Sequence, residues 1–307
     1  MKKILAMLPT TISEQIFKLP PDVLEQVEEI RVRTNRVLEV TARGKPYFLR
    51  YIVTREDSDQ LINKLSGHSF YTLEEELKRG YITIEGGHRI GLAGKVILEG
   101  GNVKGIRHLS SFNIRIAKEK TGIALPLIPY VYKKKWLHTM IIGSPQTGKT
   151  TLLRDLARLI STGIPEQNIP PLKVGIVDER SEIAGCVHGV PQLQFGPRVD
   201  VLDACPKAEG MMMLIRSMSP DVLIVDEIGR KEDGQAILEA VNAGITLIMT
   251  THGASFEEIR KRPILKDIMS LNSINRFVEL KRGDSPGEIH NILGENGQSL
   301  LSKVSVT

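Results

Sequence analysis

The sequence predicts an α/β chain in which a parallel sheet lies between helices, preceded by a smaller α+β domain. Three observations carry that expectation. Beyond residue 137, short apolar runs rich in β-branched residues alternate with amphipathic helical stretches, the pattern of a parallel sheet covered on both faces. Before residue 118 the runs alternate apolar with polar residues and are joined by glycine turns, as antiparallel hairpins are. At 307 residues the chain has length for two domains of roughly 150 residues each.

Composition narrows the class. Hydrophobic residues make up 41% and charged residues 25%, which excludes a disordered or collagen-like chain. No window approaches the roughly 18 consecutive apolar residues of a membrane span. The apolar stretch in residues 1–9 is too short for a secretion signal, so a mature cytoplasmic protein is expected. Cys186 and Cys205 lack the number for a disulfide scaffold and the spacing of a CxxC pair, and are expected as small buried fillers.

In the first domain, residues 1–118, a short acidic helical stretch at 23–27 follows Pro20-Pro21. Residues 30–33 and 37–42 alternate as strands, Gly44-Lys45 turns the chain, and 47–52 returns as a hairpin arm. Thr54 followed by Asp57 is a helix-start pattern leading into Leu61, Ile62 and Leu65 at helical spacing. Residues 81–85 and 89–98 form a second hairpin through Gly86-Gly87, and 112–116 a last strand. Residues 119–136, with Pro126, Pro129 and Lys133-Lys134-Lys135, read as a linker. In the second domain, residues 137–307, strands at 139–142, 174–177, 222–225 and 245–249 alternate with helices at 149–160, 208–218 and 233–243. The run Met211-Met212-Met213 is expected as core or interface filler rather than as a binding groove.

The net charge of +5 is unevenly spread: residues 1–136 hold 23 Lys and Arg against 15 Asp and Glu, a net +8, and the remainder carries −3. A basic half can face nucleic acid, an anionic membrane surface or an acidic partner, or lend arginines to a neighbouring phosphate. Charge by itself does not choose among these.

The strongest chemical signal is Gly143-Ser144-Pro145-Gln146-Thr147-Gly148-Lys149-Thr150, which fits the GxxxxGK[ST] pattern of a phosphate-binding P-loop and has the required apolar strand before it and helix after it. Consecutive backbone N–H groups wrap a polyphosphate, Lys149 reaches its β- and γ-phosphates, and Thr150 holds Mg²⁺ by its hydroxyl, with Thr151 beside it at the helix start. The second signal is Asp221-Val222-Leu223-Ile224-Val225-Asp226-Glu227. A buried parallel strand ending in Asp226 brings that carboxylate to the carboxyl edge of the sheet as a Mg²⁺ partner, and Glu227 can then polarise the attacking water. Two further strand ends aim at the same edge. One is Asp178-Glu179-Arg180, where Glu179 is a second candidate for activating water. The other is Thr250-Thr251-His252-Gly253, where Thr251 or His252 could sense the γ-phosphate. Together these residues point to a nucleotide site that uses Mg²⁺ and can activate water.

The stretch 213–221 followed by Asp226-Glu227-Ile228-Gly229-Arg230-Lys231-Glu232-Asp233 resembles the Walker B region of the traffic ATPases, the secretion and pilus motors of type II and type IV systems. Asp178-Glu179-Arg180 resembles their Asp box and Thr250-Thr251-His252 their His box. More narrowly, residues 31–36, 86–91 and 113–117 resemble a sporulation branch of these motors, placed at the mother-cell to forespore channel of endospore-forming bacteria. The resemblance implies that the nucleotide is ATP and the activity that of an ATP hydrolase, with a RecA-like P-loop ATPase core, a hexameric homo-oligomeric ring, and partners in a membrane-embedded channel or secretion complex. It also implies arginine contacts to the γ-phosphate, with Arg89, Arg107, Arg115, Arg180 and Arg216 as candidates. Two departures stand out. The secretion motors usually carry Gly-Glu where this chain has Asp226-Glu227, and many carry a four-cysteine zinc site that two cysteines cannot build.

The leading expectation is therefore a motor that converts MgATP hydrolysis into domain movement. A nucleic-acid-dependent RecA-like ATPase is the alternative, although aromatics at 5% and the absence of a stacking motif make nucleic acid the lesser expectation. A nucleotide switch without significant turnover is the third reading.

Overall fold

The computed structural model describes residues 1–66, 74–270, 273–283 and 285–301, and the chain divides into two compact units, Met1–Lys118 and Glu119–Thr307.

Unit one comprises α1 (Lys2–Met7), α2 (Thr10–Phe17), α3 (Pro21–Leu24), β1 (Val27–Arg33), β2 (Val37–Ala42), β3 (Lys45–Ile52), α4 (Arg55–Ser66), α5 (Glu74–Arg79), β4 (Tyr81–Ile84), β5 (His88–Glu99) and β6 (Asn102–Arg115). Its described strands form one antiparallel sheet in the order β3-β2-β1-β6-β5-β4. Period-two alternation decides its inner face. Val40, Ile30, Ile114, Ile90 and Ile82 lie opposite one another in a row across five strands, and all are buried. Such directly opposed branched side chains are the unit of sheet stabilisation. Ile4, Leu8, Ile12, Ile16 and Leu61 from α1, α2, α4 and the α1–α2 link join the same core.

The expected strands at 30–33, 37–42 and 47–52 and the helix after Thr54 are present. The stretch 23–27 is not one helix, because α3 ends at Leu24 and β1 begins at Val27. The last strand begins at Asn102 rather than 112, and the helices α1 and α2 had no anticipated counterpart.

Unit two comprises α6 (Ile128–Val131), β7 (Tyr132–Lys133), β8 (Lys135–Trp136), β9 (Thr139–Gly143), α7 (Lys149–Thr162), β10 (Val174–Asp178), β11 (Val199–Asp203), α8 (Lys207–Ser217), β12 (Val222–Val225), α9 (Lys231–Asn242), β13 (Thr246–His252), α10 (Phe256–Ile259), α11 (Pro263–Ser270), β14 (Arg276–Leu280) and β15 (Ile289–Gly294). Its main sheet runs β11-β10-β12-β13-β9-β14-β15, parallel throughout except for the antiparallel β14–β15 pair. β9, β10 and β12 are buried along their whole length, as strands covered on both faces must be. Ile141, Ile176, Ile224 and Ile248 face the α7 side, while Met140, Val177, Val225 and Met249 face α8, α9 and α11.

Two expectations change here. Residues 119–136 belong to unit two rather than forming a linker: Ala124, Leu127, Ile128, Val131 and Trp136 are buried in the core beside α7, and the Ala124 N–H donates to buried Asp155 at 2.9 Å. Its prolines sit in short helical turns that still bury an apolar face. Dividing the chain at 118 redistributes the charge, with 19 basic against 14 acidic residues in unit one and 22 against 22 in unit two. The whole net +5 lies in unit one. The strands β11, β14 and β15 were also unanticipated; β11 and β15 are the two edges of the sheet, where patterning is weaker because one flank is open, and β14 lies between β9 and β15.

Asp57 joins three elements of unit one. Thr54 and Asp57 form the reciprocal helix-start box, with Thr54 N–H donating to Oδ2 at 2.8 Å and Asp57 N–H to Thr54 Oγ1 at 3.1 Å. Tyr51 from β3 donates to the same carboxylate at 2.6 Å, and Thr11 from α2 donates as well. Burial raises the Asp57 pKa, but these donors outweigh it and hold the group below its ordinary 3.8. Asp57→Ala is expected to cost about 2–4 kcal/mol at neutral pH, since it removes a cap and leaves donors unmet. A carboxylate with a depressed folded pKa stabilises above 3.8 and loses that contribution as pH falls through the lower folded value. Urea unfolding at neutral and acid pH checks this: the gap between parent and variant narrows below pH 3.8.

Candidate functional site

The parallel register brings four strand ends to one level. His252 lies opposite Gly143, Val225 opposite Met249, and Val177 opposite Val225. The P-loop leaves β9 and enters α7 at Gly148, which has φ +89° and caps the helix without a side-chain acceptor. The first N–H groups of α7 thus have no intrahelical partner and share a positive dipole end. A Cβ on Gly148 would stand 2.2 Å from the Gly287 nitrogen, whose N–H donates to Thr147 O at 2.8 Å. The turn at Pro286-Gly287 is therefore packed against the loop.

Lys149 is buried, and its ammonium donates to Gly143 O at 2.9 Å, Ser144 O at 3.1 Å and His252 Nδ1 at 3.2 Å. Burial lowers its pKa, opposed by the charges of Asp226 and Glu227. Because the ammonium only donates, Nδ1 of His252 accepts, and Nε2 carries the proton it gives to Glu227 Oε1 at 2.6 Å. Arg180 Nη1 meets the other oxygen, Glu227 Oε2, at 2.6 Å. A chain of contacts therefore runs Lys149, His252, Glu227, Arg180. Glu227 adopts φ +55°, a left-handed conformation that a non-glycine residue holds only when its surroundings enforce it.

Asp226 is gripped on both oxygens. Thr150 Oγ1 donates to Oδ2 at 2.8 Å, and Thr250 Oγ1 donates to Oδ1. Thr250 also accepts from the Glu227 N–H at 2.8 Å. It is fully buried; the sequence placed it in the strand end at 250–253 but gave it no role of its own, and the register of β13 with β12 puts it next to the end of that strand. Thr251 faces away, donating to Ile228 O at 3.0 Å.

Asp178 does not line the cavity over the P-loop but lines, with Glu179 and Arg180, a small pocket beside Asp226 and Glu227. It is buried, accepts N–H bonds from Glu182, Ile183 and Ala184 at 2.8 to 3.0 Å, and so shapes the loop that carries Glu179 and Arg180. Burial pushes its pKa up to about 6 despite those bonds, with Asp203 adding to the rise. Glu179 is held by Lys207 and by Arg230 at 3.3 Å; burial raises its pKa, but Lys207, Arg230 and Arg180 bring it below the usual value.

The cavity over the P-loop measures about 360 Å³ and is lined by Pro145, Gln146, Gly148, Lys149, Thr150, Thr151, Glu182, Glu227, His252 and Pro286. Glu182 and Pro286 had no sequence motif to mark them. Gln146, at φ +66°, accepts from Arg282 at 2.8 Å. Arg216 lies elsewhere, in the groove between α8 and α9 with Met213, which is 52% exposed. Arg89, Arg107 and Arg115 lie on β5 and β6 of unit one, where Arg89 stacks on Tyr81 with 3.6 Å to the ring centre, Arg115 opposes both Arg89 and Glu29, and Arg107 opposes Lys95.

These donors fit a magnesium nucleotide. A hydroxyl and a carboxylate 2.8 Å apart are hard oxygen ligands suited to Mg²⁺, and beside them stand a buried ammonium and an uncapped helix N-terminus for phosphate. Among the described residues no helix is long and apolar enough to cross a membrane.

Comparison with known proteins agrees with this architecture. The family described as Sporulation stage III, protein AA matches residues 1–300. The chain is 55% identical over 306 residues to Stage III sporulation protein AA of Bacillus subtilis (strain 168), covering 100% of this chain and 99% of that protein. Among solved structures, the ATPase DotB of Legionella pneumophila is similar with a TM-score of 0.56 at 17% identity, over 82% of this chain and 72% of that one. The pilus retraction motor PilT, solved with bound ADP, gives a TM-score of 0.56 at 14% identity, over 84% and 75%. At such identities the likeness to DotB and PilT shows a shared fold. On its sequence match from end to end, the chain belongs to the stage III sporulation protein AA family.

Proposed function

We propose that the chain is a MgATP hydrolase of the secretion-motor type, working as a hexameric ring that drives or assembles a membrane-embedded channel between mother cell and forespore. The observation that carries this reading is the convergence of Lys149, Thr150, Asp226, Glu227 and His252 at the carboxyl edge of one parallel sheet, over a single cavity or bonded to its wall. The family name supports the sporulation setting, and the DotB and PilT fold supports the motor class.

In this reading the first-turn N–H groups of α7 and the Lys149 ammonium bind the β- and γ-phosphate oxygens, exchanging the carbonyls of Gly143 and Ser144 for a stronger anionic partner. Thr150 and Asp226 hold Mg²⁺, which supplies charge neutralisation across the phosphates. Glu227 orients the attacking water and accepts its proton. Each of its oxygens has one neighbour here, and a carboxylate offers about four acceptor positions, so room for water remains. His252 fixes the direction of that carboxylate. Glu179 is the lesser candidate because Lys207 and Arg230 hold its carboxylate and it does not line the cavity over the P-loop, as Glu227 does.

Two outcomes check the assignment. Lys149→Ala is expected to lower phosphate release by about a hundredfold or more, since it removes the cation at the developing charge; turnover equal to the parent would refute this placement of the site. Glu227→Gln is expected to lose about 10²–10⁴-fold in turnover while still binding a fluorescent ATP analogue with Mg²⁺. Retained turnover in Glu227→Gln alongside its loss in Glu179→Gln would move the water-activating role to Glu179.

A further inference from the structure

In unit one, β5 and β6 run past their neighbours. β4 pairs with β5 only from His88 to Gly91, and β1 pairs with β6 only from Ser111 to Arg115. From Lys95 to Arg107 the two strands form a ribbon with no other strand beside it among the described residues, turned at Gly100-Gly101, both at positive φ. A two-stranded ribbon is marginal in water, and its open edge is a template for another strand.

The two strands of the ribbon differ. Both irregularities of the ladder add residues on β6, which steps from Ser111 to Arg107 while β5 steps from Ala93 to Lys95, and from Gly105 to Val103 while β5 advances one. β5 is thus the regular edge. Directly opposed residues share a face. On one face Val96 opposes Ile106 and Leu98 opposes Val103, with Val96, Leu98 and Val103 exposed by 47%, 64% and 44%. On the other face Lys95 opposes Arg107, two cations in register, which costs stability, and Glu99 lies further along the same side, where one of its oxygens, Oε1, accepts from Lys104 at 2.8 Å.

We propose that two copies of this chain associate through the β5 edges of their ribbons, antiparallel, about a two-fold axis at Ile97. An axis perpendicular to the sheet pairs residues of the same face, so it must pass through a residue. An axis at Val96 would set Lys95 against Ile97, and one at Leu98 would set Ile97 against Glu99. Only the axis at Ile97 sets Lys95 against Glu99 of the second copy, and Val96 against its Leu98. That register answers the Lys95–Arg107 repulsion twice, once at each end of the contact. It also joins the two exposed apolar patches into one surface across four strands. The interface is self-complementary, as a two-fold contact requires. It is independent of the nucleotide reading.

Sedimentation velocity of the full chain without nucleotide, over a range of micromolar concentrations, tests it. The parent is expected to associate in multiples of two. Lys95→Glu, which favours the isolated ribbon by facing Arg107, is expected to weaken association by about tenfold because symmetry counts the change twice. Adding Glu99→Lys to it is expected to restore association in part, because the swap re-forms the pair between copies while giving up the Glu99–Lys104 contact within each. Ile97→Cys is expected to give a covalent dimer on oxidation above the background of Cys186 and Cys205, since opposed Cα atoms of antiparallel strands lie about 4.5–5.5 Å apart, within disulfide reach. A parent that stays monomeric, a mass indifferent to Lys95→Glu, a double variant no better than the single, or an Ile97→Cys chain that fails to cross-link would each overturn the proposal.

Discussion

The Asp226 carboxylate is held between two threonine hydroxyls, Thr150 from the start of α7 and Thr250 from β13, and the remainder of the site is arranged around that grip. It fixes the P-loop helix against the end of β12 and fixes β12 against β13 at the level where the loops begin. The Glu227 N–H completes the knot by donating to Thr250, which helps enforce the left-handed backbone of Glu227. A charge at the edge of a buried sheet is costly unless its acceptor sites are filled, and here each oxygen has a hydroxyl. The strand beneath it, buried from Val222 to Val225, supplies the rigidity such a pair needs to stay in register.

From this anchor the electrostatics extend in one direction. Lys149, His252, Glu227 and Arg180 alternate donor and acceptor, so the position of each proton follows from the ammonium at the head of the chain. The histidine is neither a free imidazole nor a spare ligand; its two nitrogens are assigned opposite roles by neighbours on opposite sides. Glu179 shows the contrast. It lies one residue beyond Asp178 on the neighbouring strand end, yet Lys207 and Arg230 engage it, and it has the surroundings of a structural ion pair. Two glutamates that look equivalent in the sequence are separated by which cations the fold brings to them.

The first unit follows different physics. Its sheet is antiparallel with one inner face, its keystone is a carboxylate that caps a helix, and its net charge is the whole +5 of the chain. The ribbon that extends beyond the sheet carries its two bulges on β6 and leaves β5 as a regular open edge with alternating apolar side chains and no proline.

Local chemistry in the sequence determined the elements that carry function. Gly143 to Thr150 marked the loop because few sequences combine its glycines and lysine between a strand and a helix, and the apolar run before Asp226 marked a strand buried on both faces. Thr54 with Asp57 marked a helix start for the same kind of reason, a bond closed within four residues. Other features required the tertiary structure because their partners are distant in the chain. Thr250 reaches Asp226 across 24 positions, Pro286 and Gly287 pack on the P-loop from 138 and 139 positions beyond Gly148, and the apolar residues of 123–136 find their core on α7. A serine, threonine or proline has no periodicity that announces such a contact. Parallel pairing decides it, by placing strand ends side by side whose order in the sheet is not their order in the sequence.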